Sequence, residues 1–368
     1  MGRDSTLNIA FFGSSLVSAF WNGAATYYRG LIRALADRGH SITFYEPDAF
    51  ERQQHRDIDA PPYATSIVYP AEELGVRTAL DHAKDKDVII KASGVGVFDE
   101  LLEKGVLNLK TGNNSIVFWD VDAPATLDRV TRNENDPFRV LIPEYDRIFT
   151  YGGGQPVVGA YLKKGARSCI PVYNALDAQT HYPVPPDPRF EADLGFLGNR
   201  MPDREHRVKE FFFKAADILP DKSFLLGGNG WHDQMPIHSN ISYLGHVFTY
   251  DHNAFNCTPA AVLNISRQSM ADYGFSPATR VFEAAGAGAC LITDAWKGIE
   301  QFLEPDSECL IAHNGRDVAN LVAGLDFLEA KRMGEAARQR VLDEHTYAHR
   351  AKQVENILYH EPDMEVQK

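Results

Sequence analysis

The chain is poor in cysteine, in positive charge and in long apolar runs, and each shortage excludes something. Its four cysteines, Cys169, Cys257, Cys290 and Cys309, lie far apart with no C-x-x-C spacing. Reduced, buried thiols in a cytoplasmic protein are therefore expected, rather than a disulfide framework or a thiolate metal site. The formal net charge is -13, with 37 Lys and Arg against 50 Asp and Glu. Nucleic acid is not expected as a partner, because neutralising phosphates needs clustered basic side chains. No apolar run approaches the roughly 18 residues of a spanning helix, and the N-terminus lacks a signal-peptide pattern, so stable membrane insertion is not expected either. "MGRDST" at residues 1–6 matches a myristoylation motif only superficially. There is no tandem repeat and no low-complexity tract.

What is present is a 368-residue chain, 44% hydrophobic and 24% charged, enough for about two globular domains. "LNIAFFG" (7–13) reads as a strand. A Gly/Ser loop follows, then helical apolar spacing over 24–40 (Tyr28, Leu31, Ile32, Leu35) that stops at Gly39, then the strand "SITFYE" (41–46). Strand, helix, strand in this order is a βαβ unit of a parallel sheet. Apolar runs at 87–93, 114–122 and 145–151 suit further strands covered on both faces. Five prolines between 171 and 190 mark a linker. The alternation then resumes, with strands at 192–199, 222–231, 241–247, 261–267 and 289–294, and helices at 203–219, 316–328 and 329–358. The reading is α/β: two Rossmann-like domains facing a central cleft, with a C-terminal helix crossing back. The boundaries are 1–172, a linker 173–190, a second domain 191–345, and a helix and tail 346–368.

The stretch "SPATRVFEAAGAG" (276–288) carries the chemistry. Ser276 is a preferred N-cap and Pro277 suits a first helical position, so a helix is expected from about 277. Its free N–H groups and positive dipole end attract phosphate. Arg280 adds a bidentate donor, and Glu283, on the same face, can accept hydrogen bonds from a ribose. Thr279 stands beside them. Ala284, Ala285, Gly286, Ala287 and Gly288 permit close packing behind. The residues alone leave open a plain surface ion pair followed by a glycine stop.

"RVFEAAGAGACLITD" (280–294) resembles the nucleotide-sugar signature of GT-B glycosyltransferases, most of all the spore-maturation (CgeB-like) glycosyltransferases. The similarity includes "DVDAP" (120–124), "NALDAQTHYP" (174–183), "LGFLGNRMPDRE" (194–205), "LLGGNGW" (225–231) and "EHTYAHR" (344–350). It implies an N-terminal acceptor domain and a C-terminal donor domain. It also implies a donor ribose on Glu283, a diphosphate near Arg280, Arg200 and Arg204, and a base flanked by the backbone from Tyr243 to Val247. One departure stands out. Many related retaining enzymes carry a second Glu eight residues before the ribose Glu, where this chain has Phe275.

Other candidates complete the expected site. Gly13, Ser14 and Asn22, in the loop after the first strand, border the diphosphate or the acceptor. Asp122 of "DVD" is an acceptor-side group and candidate base; a bound metal is not expected there. His246 is a base contact. His252, like His246, lacks acidic or thiol companions at metal-ligand spacing. Trp231, after "GGNG", stacks on the ligand or fills the core. The expected function is transfer of a sugar from a nucleotide-diphosphate sugar to an unidentified sugar, lipid-linked or small-molecule acceptor, without metal or cofactor and with retention. A nucleotide-sugar epimerase and a non-catalytic binding protein are the alternatives. A nucleobase glycosyltransferase is disfavoured by the charge.

Overall fold

A computed structural model describes residues 6–20, 22–232 and 238–360. The chain divides into two compact units, Met1–Tyr173 with Tyr347–Lys368, and Asn174–Thr346. The superficial myristoylation motif and the polar tail lie, in the main, outside the described residues.

The first unit alternates strands and helices: β1 Asn8–Phe12, α1 Ala25–Asp37, β2 Ser41–Asp48, β3 Thr65–Pro70, α2 Glu73–Ala83, β4 Val88–Ala92, α3 Asp99–Leu107, β5 Ser115–Asp120, α4 Ala123–Arg132, β6 Arg147–Thr150, α5 Gly154–Lys163 and β7 Cys169–Pro171. The seven strands form one parallel sheet in the order β3-β2-β1-β4-β5-β6-β7. Every residue of β4 is buried, which is why its sequence is apolar on both faces apart from Lys91, whose ammonium pairs with Asp99. Trp119 lies beside Phe149, edge to face at 4.8 Å, and its indole N–H donates to Tyr27 Oη at 3.0 Å.

The second unit contains β8 Leu194–Leu197, α6 Glu205–Val208, α7 Lys214–Ile218, β9 Phe224–Gly227, β10 Ile241–Gly245, α8 His252–Cys257, β11 Ala261–Asn264, α9 Gln268–Tyr273, α10 Thr279–Gly286, β12 Leu291–Asp294, β13 Leu310–Ala312, α11 Gly315–Gly324 and α12 Phe327–Glu344. Its six strands are again parallel, in the order β10-β9-β8-β11-β12-β13. A π-helical turn, Lys209–Phe213, joins α6 to α7 and seats Phe211, Phe212 and Phe213 in the core. Residues 174–190, which the prolines mark as a linker, hold no strand or α-helix and lie on this unit. Asn174 Nδ2 donates to Pro277 O at 3.1 Å, and the Asp187 amide donates to Thr258 Oγ1 at 3.0 Å.

Both sheets therefore reverse strand order beside their first strand, at β1/β4 and at β8/β11. In such sheets ligands bind beyond the carboxyl ends of the strands at that reversal. The expectation of two parallel-sheet Rossmann-like domains is met. One helix read over 329–358 is two: α12 and α13 Tyr347–Tyr359. Between them the His345 carbonyl accepts from the Leu176 amide at 2.8 Å, so it no longer continues the helical ladder. Helix α13 returns to the first unit and packs on α1, where a Cβ on Gly30 would lie 2.1 Å from the Tyr347 ring.

Candidate functional site

The loop after β8 and the segments after β11 meet at the strand reversal of the second unit. Helix α10 does not begin where the sequence suggests. Its N-cap is Ala278, in an extended conformation, and no side chain caps the first N–H groups. Ser276 is not the cap, because its hydroxyl donates backwards to Gly274 O at 2.9 Å. The first turn of an eight-residue helix is thus left with its orphan donors. Directly before it, Phe275 has a φ of 47°, left-handed backbone that a bulky residue adopts only under strain. The small residues behind serve α12 and the 174–181 segment as well as the sheet. A Cβ on Gly286 would lie 2.2 Å from Leu176, and one on Gly334 would lie 2.1 Å from Gly288 O.

Two guanidinium groups come together here without carboxylate partners. Arg280 forms no ion pair among the described residues, and burial pulls its pKa down against the favourable charge of Glu283. Arg204 donates to Asn199 O and lies 5.9 Å over the Phe196 ring, while its Nε is buried with no partner. Burial first, and then the charge of Arg280, push the Arg204 pKa down to about 10. A desolvated, mutually repelling pair of cations is what a bound anion would relieve. Gly198 keeps room for it, since a Cβ there would sit 3.0 Å from Arg204 Nη2. Nearby Arg267 pairs with Asp203 at 2.6 Å, and Arg200 pairs with Glu205 at 2.7 Å. Arg200 thus already has a carboxylate, unlike Arg204.

Glu283 lies one turn into α10. Its side chain is 13% exposed, and no ion pair to Arg280 forms, so the plain surface-pair reading does not hold. Burial alone would raise its pKa, but His181, Arg280 and His252 outweigh it and hold the carboxyl below its usual range. His181 Nε2 stands 3.9 Å from Glu283 Oε1. Ligand atoms of His181, His252 and Glu283 all lie within 4.8 Å of one another. Sequence spacing did not place His181 in the site. It comes from the Pro-rich segment, 102 residues before Glu283 by number (283 − 181).

The remaining candidates divide. Thr279 begins α10 and is partly exposed. His246 is exposed on the loop after β10, edge to face with Phe248 at 4.7 Å. Trp231 is 1% exposed in the core of the second unit, and its indole N–H donates to Gly198 O at 2.7 Å. It has no free face for a ligand to stack on, which corrects its expected binding role: it props the β8 loop instead.

In the first unit, Gly13 abuts Phe44, whose ring a Cβ would meet at 2.4 Å. Ser14 is buried and donates to Asn22 Oδ1 at 2.8 Å, so its hydroxyl is already engaged within the loop. Asp120 is fully buried. It accepts from Ser93 Oγ, the Asp122 amide, Thr126 Oγ1 and Tyr161 Oη, with both oxygens engaged. Those donors lower its pKa, but burial is larger and leaves it raised. "DVD" is thus not a pair of free carboxylates. Asp122 is the half-exposed member, and it borders a pocket with Ser93, Glu103, Thr126 and Arg129 beyond the ends of β4 and β5. All four cysteines are free, and no helix among the described residues is long and apolar enough to cross a membrane.

Residues 204–356 match the family model described as glycosyl transferase-like. A search of curated protein sequences finds no match. Among solved structures the chain is similar to sucrose-phosphate synthase from Thermosynechococcus elongatus, at TM-score 0.69 and 14% identity, covering 96% of this chain and 98% of that one. It is similar to Anabaena HepE in complex with UDP-glucose, at TM-score 0.64 and 13% identity over 96% and 99%. A third is an alpha-glucosyltransferase in complex with UDP-glucose and DNA containing an abasic site, at TM-score 0.68 and 14% identity over 97% and 100%. The chain therefore has the GT-B fold of two parallel-sheet Rossmann-like domains, and its residues 204–356 match the glycosyl transferase-like family.

Proposed function

We propose that this chain is a glycosyltransferase that takes a sugar from a UDP-sugar donor. The observation that carries this reading is the unpaired, desolvated pair Arg204 and Arg280 at the uncapped start of α10, with the ionised Glu283 one turn further on. A nucleoside diphosphate is complementary to that arrangement: its diphosphate meets the guanidinium groups and the helix end, and its ribose hydroxyls donate to Glu283. Solved GT-B structures similar in fold are bound to UDP-glucose, which favours uridine as the base.

The reaction breaks the bond between the anomeric carbon and the diphosphate oxygen, UDP leaves with the electron pair, and an acceptor hydroxyl oxygen bonds to that carbon and gives up its proton. Negative charge grows on that oxygen, and donors already aimed at it lower the barrier without a metal. Asp122 is the acceptor-side candidate, and retention of configuration is the stereochemical outcome we favour. The CgeB-like resemblance, the cytoplasmic setting and a sugar, lipid-linked or small-molecule acceptor complete the reading. The charge of -13 argues against DNA as that acceptor.

Calorimetry with UDP in EDTA, followed by incubation with a panel of UDP-sugars, tests this. The wild type is expected to bind UDP and to release it from one UDP-sugar. Glu283→Ala is expected to weaken UDP by roughly tenfold, since a charged acceptor for ribose hydroxyls is lost. An isomerised UDP-sugar would move the assignment to an epimerase, binding without turnover to a binding protein. Failure to bind any uridine nucleotide would end the proposal.

A further inference from the structure

The carboxylate assigned to the ribose belongs to a second constellation. We propose that His181, His252 and Glu283 form a site for a zinc-class divalent cation, and that the cation and the nucleotide compete for Glu283. The competition rests on the nucleotide reading above; the cation site does not.

Two imidazoles and a carboxylate are a donor set that zinc takes with a fourth position left to water. They come from three separate segments: the irregular stretch before β8, the start of α8, and α10. Their ligand atoms lie within 4.8 Å of one another, and the His181 Nε2 to Glu283 Oε1 separation is 3.9 Å. Tetrahedral zinc with bonds near 2.0–2.2 Å holds its ligand atoms about 3.4 Å apart, so only small side-chain rotations are needed.

The groups behind the ligands also suit a metal. His252 Nε2 lies 3.3 Å from Val247 O, a carbonyl that can only accept, so Nε2 carries the proton and Nδ1 keeps a lone pair. His181 Nδ1 lies 2.9 Å from Thr180 Oγ1, whose hydroxyl can donate to Asp177 O at 3.2 Å. That chain engages Nδ1 of His181 and leaves Nε2 as its atom towards Glu283. Backing of each imidazole by an outer acceptor is the usual support for metal-ligating histidine. Without a metal a proton on His181 Nε2 answers Glu283, and a divalent cation would take that proton's place. The opposing influence is Arg280, whose charge acts on both Glu283 and His252.

The full-length protein, stripped with EDTA and desalted, is titrated with zinc sulfate against a chromophoric chelator, and in parallel with cobalt(II). One equivalent of zinc is expected, with the visible d–d bands of tetrahedral cobalt. His181→Ala and His252→Ala are each expected to weaken zinc at least tenfold. Arg280→Ala is expected to tighten it several-fold, because a nearby positive charge is removed. In the wild type, which needs no variant to fold, saturating zinc is expected to weaken UDP at least tenfold. Absence of a stoichiometric equivalent, or zinc affinity unchanged in both histidine variants, overturns the cation site. Zinc and UDP binding together at undiminished affinity overturns the competition. If UDP fails to bind even in EDTA, the nucleotide reading falls while the zinc titration still stands by itself.

Discussion

The two units use the same parallel architecture and reverse strand order at the same place, yet Asp120 in one and the pair Arg204 and Arg280 in the other stand in opposite situations. Beyond β5 in the first unit, Asp120 is sealed in and accepts from four donors of the protein itself. Beyond β8 and β11 in the second unit, Arg204 Nε has no partner and Arg280 has no ion pair among the described residues. The first arrangement is finished by the fold. The second needs something from outside. Buried charge without a partner is disfavoured, so its persistence at the mouth of a helix marks a ligand site more firmly than either arginine does alone.

The sharpest way to break this contrast is Arg280→Ala. Turnover with the active UDP-sugar is expected to fall by about 10²- to 10³-fold, the loss typical of one preorganised charge donor. The melting temperature is expected to hold, because the substitution also removes repulsion from Arg204. Steady-state kinetics and scanning calorimetry read the two effects separately; unfolding with turnover per folded molecule kept would make Arg280 structural.

A change in the first unit should do the reverse. Asp120→Ala strands the Ser93, Thr126 and Tyr161 hydroxyls and the Asp122 amide, and is expected to reduce stability by about 3 kcal/mol in urea unfolding. An unshifted urea midpoint would mean those donors find other partners.

The smallest effect is a pH dependence. Asp120 has a folded-state pKa raised above 3.8, chiefly by burial, so its ionisation opposes folding at neutral pH. As pH falls through that raised pKa towards 3.8, the folded state takes up the proton first and the opposition disappears. Wild type is therefore expected to gain stability relative to Asp120→Asn over that window. A gap that is constant with pH, or moves the other way, would show that the four donors outweigh burial.

Much of the fold was legible in the residues. Continuous apolar runs gave most of the central strands, because strands covered on both faces need no polar side. The start of α10 was misread by about two residues, since Ser276 has the chemistry of a cap but turns its hydroxyl to Gly274. The break between α12 and α13 was invisible, because it depends on the distant backbone of Leu176. The spacing of Arg280 and Glu283 puts both in the first turns of one helix, and α10 carries both. The place of His181 was not legible, and Trp231 was left open between ligand and core, because burial is a property of the packed core and not of a GGNG neighbourhood.

By itself the sequence determined the strand–helix alternation, the two-part organisation and the charge carried at the start of α10, since these follow from local periodicity and from residues a few positions apart. Only the tertiary structure decided which charges go unpaired and which histidines reach Glu283. Those depend on the irregular stretch before β8 and the loops after β8, β10 and β11 meeting in space, and no local pattern encodes a contact between segments that far apart.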